Sequence, residues 1–239
     1  MKTYLLDEIG ELKVIKSAKA KKIIIKINYN GEPQVTIPRY LPYIIGLQFA
    51  QKQRSWILKN RTSKILVLSN GDIIANKYTV RFTEHKKPHI SSRVQGNYVN
   101  INIPAGTDPD NALSQNEAIK ASTRAMKRIA EDTLPTRLYN LAIKHGYSYN
   151  SIAVKNMKTR WGSCSSQGAI CLNIWLIQLR DELIDYVCCH ELAHLRNPHH
   201  QQGFWDDLSV MVPNYRELRK ELKSHSPRLN PQQPQALLS

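Results

Sequence analysis

The chain has 239 residues, 41% of them hydrophobic, and 34 Lys and Arg stand against 19 Asp and Glu for a formal net charge of +15. That length suits one large domain or two small ones, and it buries a core without disulfides or metal. No apolar run approaches the roughly 18 residues of a spanning helix, and acids at positions 7, 8 and 11 interrupt the start too early for a signal peptide.

Four cysteines, two of them adjacent (Cys164, Cys171, Cys188 and Cys189), do not resemble a disulfide framework. The expectation is a cytoplasmic protein. The charge is uneven: residues 1–108 carry 18 basic and 7 acidic side chains, and residues 109–239 carry 16 and 12. The bland reading is a solvated basic surface. The sharper one is attraction of the N-terminal half to a polyanion, such as nucleic acid, a nucleotide or an anionic membrane. A run of Lys19, Lys21, Lys22 and Lys26 adds to this, but no helix-turn-helix, zinc-finger or RNA-recognition signature accompanies it.

In chain order, residues 12–40 read as short β-branched strands with a hairpin signal at Asn30-Gly31. Residues 42–64 have helical spacing that puts Ile45, Phe49, Trp56 and Ile57 on one face. Strands follow at 72–74, 77–84, 88–94 and 97–103. The polar stretch 104–116 predicts a boundary. A long helix is expected from Pro109 or Ser114 to His145, ended by Gly146 and kinked or split by Pro135. Then come a strand at 151–157, a loop at 158–167, a strand at 168–173, and helices at 180–196, 201–211 and 214–224. The tail from 225, rich in Pro and Gln, reads as disordered. The domains are therefore expected to be a β-rich 1–104 with one helix, a second domain over 109–224, and the tail 225–239, in the α+β class.

Residues 190–194 read His-Glu-Leu-Ala-His in a helical stretch. Positions i and i+4 lie one above the other on a helix, so His190 and His194 can reach one metal ion. Glu191, about 100° around the helix, stays beside the metal as a general base rather than a ligand. Zinc bound this way lowers the pKa of a coordinated water to about 7. A catalytic zinc wants a third protein ligand. Asn197, a residue tolerant of the left-handed conformation, and Pro198 can end the helix and turn the chain back, so that His199 or His200 supplies it. Asp206 is another candidate, and it or Asp207 can instead orient a ligand. An ordinary polar helix face is the bland alternative. It leaves unexplained why histidines fall at ligand spacing with apolar residues between them.

Other residues carry weaker signals. Arg160 lies in the turn-like segment Arg160-Trp161-Gly162-Ser163-Cys164 and can steady negative charge on a substrate, or be an ordinary surface arginine. Cys164 lacks an adjacent base for a nucleophile. Cys188 and Cys189 read as small core residues, and Trp161, Phe204 and Trp205 as core aromatics. Tyr215 can polarise a substrate oxygen with its phenol, or simply pack in the last helix.

Residues from about 110 to 224 resemble the YgjP-like family of metal-dependent hydrolases, related to the SprT-like zinc metalloproteases. The matching features are Arg160-Trp161-Gly162-Ser163-Cys164-Ser165, Gly168 through Asn173, His190 to His194, His200, Phe204-Trp205 and Pro213-Asn214-Tyr215-Arg216. The resemblance implies zinc ligands His190, His194 and His200, with Glu191 as base. It also implies a minimal zincin-like core, a small sheet plus the motif helix, preceded by a β-rich N-terminal domain. The ligand spacing equals that of the metzincins, but Asn197 replaces their Gly, and Met211 lies too close to the third histidine to form their methionine turn. The expected activity is zinc-dependent cleavage of a peptide bond in a peptide or protein, with the strand at 168–173 pairing to an extended substrate. The alternatives are hydrolysis of a nucleoside triphosphate, and a DNA-associated protease or nucleic-acid-binding protein with a zinc site. No membrane partner is expected.

Overall fold

The structure, a computed structural model, describes residues 1–27, 32–62 and 66–232, and of residues 60–62 the backbone only. It divides into two compact units, Met1–Val67 and Leu68–Ser239.

The first unit is a four-stranded sheet of β1 (Lys2–Leu6), β2 (Gly10–Ser17), β3 (Ile24–Ile27) and β4 (Pro33–Pro38) in the order β1-β2-β4-β3. β2 and β4 are parallel and the outer pairs antiparallel. Leu12, Val14, Val35 and Ile37 alternate onto one fully buried face, as the period of two in a strand requires. Helices α1 (Tyr43–Lys52) and α2 (Arg54–Thr62) follow. Gly46 of α1 sits so near this face that a Cβ there would stand 2.6 Å from Val14 Cγ1. The single helix expected over 42–64 is broken at Gln53, whose N–H donates to both Phe49 and Ala50 carbonyls. Within α2, Ile57 is buried while its neighbour Trp56, about 100° around the helix, is 39% exposed instead of sharing its face. The Asn30-Gly31 turn lies outside the described residues, though β3 and β4 on either side pair antiparallel.

The second unit contains another four-stranded sheet, β5 (Ile73–Ile74), β6 (Tyr78–His85), β7 (Ser91–Gln95) and β8 (Tyr98–Pro104), in the order β5-β6-β8-β7. Its inner face, with Val80, Val99, Ile101 and Ile103 all buried, is covered by α3 (Ala112–His145) through small residues such as Ala118, Ala121 and Ala125. This packing explains why the compact units divide at 67–68, whereas the sequence reading placed a boundary between 104 and 109. Gln115 of α3 reinforces it, exchanging hydrogen bonds of 2.8 and 2.9 Å with the Leu68 backbone.

Helix α3 starts where Asn111 accepts from the Leu113 and Ser114 N–H groups and stops at Gly146, with φ 69°. It stays one helix through Pro135. The missing N–H faces the carbonyl of Glu131, an exposed residue, so water can replace the lost bond. After α3 come β9 (Ser151–Lys155), β10 (Gly162–Cys164), β11 (Ala169–Asn173), a 3-10 turn at Ile174–Gln178, α4 (Asp181–Ala193), α5 (Gln202–Met211) and α6 (Tyr215–Leu222). The small sheet has the order β10-β11-β9, with β11 parallel to β9 and antiparallel to β10. β10 falls in the segment read as a loop. It forms because Gly168, at φ 74°, turns the chain so that Gly162 to Cys164 pair with Leu172 to Ile170.

Part of the tail read as disordered is bound. Leu229 is buried, the Asn230 N–H donates to Gln178, and Gln232 bridges Ile73 through two backbone bonds of 2.7 and 2.8 Å. The chain is thus of the α+β class. Among the described residues no helix is long and apolar enough to cross a membrane.

The orientation of α4 is set partly by Arg137 of α3. Its guanidinium donates to Asp185 at 2.5 Å, to the Asp181 carboxylate at 2.6 Å and to the Asp181 carbonyl at 2.9 Å. Both carboxylates are partly solvated, so the clamp is worth less than its geometry would give in a dry site. Arg137→Ala should lower the unfolding free energy by about 1–2 kcal/mol, read from a denaturant midpoint at unchanged slope.

Candidate metal centre

Helix α4 carries His190 in its last turn, and His194 caps it with helical dihedrals. The chain then has to reverse. It does so without a left-handed residue: among the described residues only Glu8, Ala75 and Asn76 are non-glycines at positive φ, so Asn197 does not use the conformation expected of it. The Asn197 N–H instead donates to the Ala193 carbonyl, Pro198 blocks further helix, and the Asn197 side-chain amide donates to Asp207 of α5 at 2.8 Å. Gly203 leaves space for this side chain, since a Cβ there would meet Asn197 Oδ1 at 3.0 Å.

The reversal brings His200 back over α4. One ring nitrogen from each of His190, His194 and His200 lies within 4.8 Å of the others, and His190 Nε2 is 3.0 Å from His200 Nε2. Imidazole nitrogens about 2.0–2.1 Å from a tetrahedral zinc stand about 3.3 Å apart, so this spacing fits an ion held between them. His194 Nδ1 is 3.2 Å from the Asn197 carbonyl. As a donor there it leaves the Nε2 lone pair for the ion, and Asp207 steadies that carbonyl through the Asn197 amide. His190 Nδ1 is buried with no hydrogen-bond partner among the described residues. Burial lowers the pKa of all three imidazoles, that of His190 to about 3. They are therefore neutral at pH 7, the form that binds metal. Phe204, fully buried, underlies them with ring centroids 4.6–4.9 Å from each imidazole.

Glu191, about 100° around α4 from His190, faces the small sheet and lines the same cleft as His190 and His194. It is 5% exposed, and burial, opposed by the nearby Arg160 charge, pushes its pKa up to about 8. The carboxyl fits only because residue 162 is glycine: a Cβ there would lie 2.6 Å from Glu191 Oε1. Gly162 begins β10, and its place depends on Asn173, fully buried, whose amide donates to the Met157 and Arg160 carbonyls at 2.8 and 2.7 Å. The sequence reading assigned neither residue a role, although both lie in stretches it singled out.

A cleft of about 560 Å³ opens over the histidines, with Arg160 and the β10 backbone on one wall and Leu195 and Pro198 on the other. Cys164 also lines it, its thiol pKa raised by burial and then by Glu191, which disfavours a thiolate. The other sequence candidates fall outside the three-imidazole cluster. His199 is exposed, and the Asp206 carboxylate accepts from Gln202. Cys188 and Cys189 are buried thiols of the core. Trp205, half-buried where a core position was expected, stacks on His200 at 5.6 Å. Tyr215 stacks on Trp205 at 5.5 Å, and its hydroxyl accepts from Arg216. It is therefore one ring removed from the imidazoles and does not line the cleft.

The model of the YgjP-like family, described as a metallopeptidase domain, matches residues 21–225. The chain belongs to this family. Among solved structures, the YgjP-like chain is similar to the metallopeptidase zymogen of Pyrococcus abyssi abylysin, at 22% identity and a TM-score of 0.36 over 38% of this chain and 93% of that one. It is also similar to the metallopeptidase zymogen of Methanocaldococcus jannaschii jannalysin, at 22% identity and a TM-score of 0.34 over 38% of this chain and 94% of that one. Comparison with curated proteins finds no match. The family is metal-dependent, and three histidines of this chain are grouped to hold an ion.

The buried carboxyl gives a test in metal-free protein. A Glu191 pKa near 8 when folded, against 4.5 as its ordinary value, means that the folded state keeps a proton the unfolded chain loses. Its contribution to stability is full below about pH 4.5 and is lost as pH rises toward 8. After chelation, Glu191→Gln should therefore gain stability relative to wild type by about 3–4 kcal/mol between about pH 5 and pH 8. Parallel curves over that range would show the carboxyl to be solvated.

Proposed function

We propose that this YgjP-like chain is a zinc-dependent peptidase with a minimal zincin-like core, formed by the sheet β9–β11 and helix α4. The observation that carries this reading is the pairing of three neutral imidazoles with a buried, otherwise unpaired carboxyl on the adjacent residue of the same helix. His190, His194 and His200 would hold the ion, and an all-imidazole set suits zinc without requiring a thiolate. Zinc in such a site supplies a Lewis acid that polarises a carbonyl and makes hydroxide available near neutral pH.

The chain's own residues do the rest. Glu191 takes the proton of the attacking water and returns it to the leaving amine. Gly162 keeps the volume beside that carboxyl free. Arg160, at the cleft wall, steadies charge developing on the substrate. Tyr215 acts through Trp205, holding that ring against His200. An extended peptide would pair with β10. The strand proposed from sequence, now β11, bonds on both sides, Cys171 facing Ser163 of β10 and Ala153 of β9. β10 is one edge of the sheet and, unlike the other edge β9, lines the cleft. Four free cysteines, the two on α4 buried, support a reducing compartment, which we take to be the cytoplasm.

Zinc content and turnover should be measured on wild type, Glu191→Gln and His200→Ala, with casein and a panel of nucleoside triphosphates as substrates. The expected result is about one zinc in wild type and Glu191→Gln, casein cleavage reduced about 10²–10⁴-fold or more in Glu191→Gln, and loss of zinc in His200→Ala. Turnover of nucleotides but not casein would replace the peptidase reading with phosphate-anhydride hydrolysis. Gly162→Ala should retain zinc yet lose at least about tenfold in kcat, because its methyl displaces the Glu191 carboxyl by a fraction of an ångström. Unchanged kcat in Gly162→Ala would mean that this contact does not position the base.

A further inference from the structure

The face of the sheet β5–β8 turned away from α3 has a composition that the peptidase reading leaves unused. Strand alternation puts the apolar residues Val80, Phe82, Val99, Ile101 and Ile103 under α3. Their neighbours point the other way. In register across the three longer strands, this outer face runs Thr79, Tyr98 and Gln95, then Arg81, Asn100 and Arg93, then Thr83, Asn102 and Ser91. It contains two arginines, one aromatic ring, six uncharged polar side chains and no carboxylate.

The arrangement is ordered. Arg81 and Arg93 flank Asn100 from the two neighbouring strands, so their backbones lie about 10 Å apart. Both are exposed, and neither forms an ion pair among the described residues. The Arg81 guanidinium lies over the Tyr98 ring, 3.9 Å from its centroid, and Tyr98 is 39% exposed. Thr83 donates to Asn102, and Asn102 to Ser91, which fixes the polar end of the face. The connection to β7 adds exposed Lys86 and Lys87. At the other end, beside the Gly96-Asn97 turn that leads into Tyr98, a cleft of about 300 Å³ has Lys77 and Arg128 on its walls, with Asp132 as its one acid.

We propose that this sheet face binds single-stranded nucleic acid, with Arg81 and Arg93 contacting phosphates and Tyr98 stacking on a base. Unpaired cations spaced across strands match a chain of phosphates. A partly exposed ring with a guanidinium over it, standing on the outer face of a sheet, is the kind of platform on which unpaired bases stack. The Asn, Thr and Ser side chains supply hydrogen bonds to base edges. A duplex offers no base face to Tyr98. An acidic protein would use the charges but gain nothing from the ring. The proposal stands on residues outside the metal centre and does not depend on the peptidase reading.

The test uses the full-length chain and fluorescein-labelled oligo(dT) and oligo(U) of about 16 nucleotides, with anisotropy followed as a function of salt. Wild type should bind at least one of the two, and the pair distinguishes DNA from RNA. Arg81→Gln and Arg93→Gln should each lower the slope of log affinity against log salt by about 0.7. Tyr98→Ala should weaken binding about 5- to 150-fold, and Tyr98→Phe should restore it. All four variants, at the three positions, are judged at unchanged melting temperature, which the Gln and Phe variants should preserve because the sites are exposed. Any of three results overturns the proposal: no binding by wild type at low salt, affinity unaltered in the Arg81→Gln, Arg93→Gln, Tyr98→Ala combination, or a polyglutamate peptide of equal length binding more tightly than either oligonucleotide. The second would place binding on other lysines of this basic chain, and the third would make the partner an acidic protein.

Discussion

A helix can bring two imidazoles to one point, but not a third. His190 and His194 are neighbours on α4 because 3.6 residues make a turn. His200 reaches them only if the chain reverses within the six residues after His194, and the Asn197 to Asp207 hydrogen bond ties that reversal to α5. The same reversal presents the Asn197 carbonyl to His194 and carries Phe204 beneath all three rings. Position, tautomer and packing of the cluster thus share one local constraint. His190 and His194 are partly buried and His200 is exposed, so the cluster stays open to an incoming ion.

The neighbouring face of α4, which lines the same cleft, meets a second constraint. A carboxyl as buried as Glu191 survives only if the structure keeps room for it and keeps other material away. Gly162 provides that room from an edge strand only three residues long, and Asn173 holds the preceding loop with a fully buried amide. The wall that accommodates this carboxyl is also an edge strand of the sheet. Placement of the Glu191 carboxyl and of this strand edge therefore depends on the same few backbone atoms.

The parts of this arrangement governed by short-range periodicity were legible in the sequence. The histidine pair and its carboxyl follow from helix geometry, α3 from its length and its Gly146 stop, and most strands of the second unit from their β-branched runs between turn residues. Choosing His200 over His199 was not possible from spacing alone, and came from the family resemblance. What could not be read depended on distant partners. Gly162 and Glu191 are separated by a strand and a helix, so neither residue signals the contact. β10 is too short to alternate. The second sheet looked like part of an N-terminal domain because its apolar face matches any cover, and only the structure shows that α3 provides it. The Gln53 break and the bound segment around Leu229 are likewise outcomes of tertiary packing that local propensity does not record.

The central claim is that three imidazoles and no thiolate hold the metal, leaving one position open for chemistry. X-ray absorption at the zinc edge of the loaded, full-length protein tests it most directly. The account predicts three imidazole nitrogens at about 2.0–2.1 Å and one lighter oxygen, in wild type and in Glu191→Gln alike. A sulfur shell at about 2.3 Å, which would bring Cys164 into a closed structural site, or failure of the protein to retain zinc at all, would contradict it.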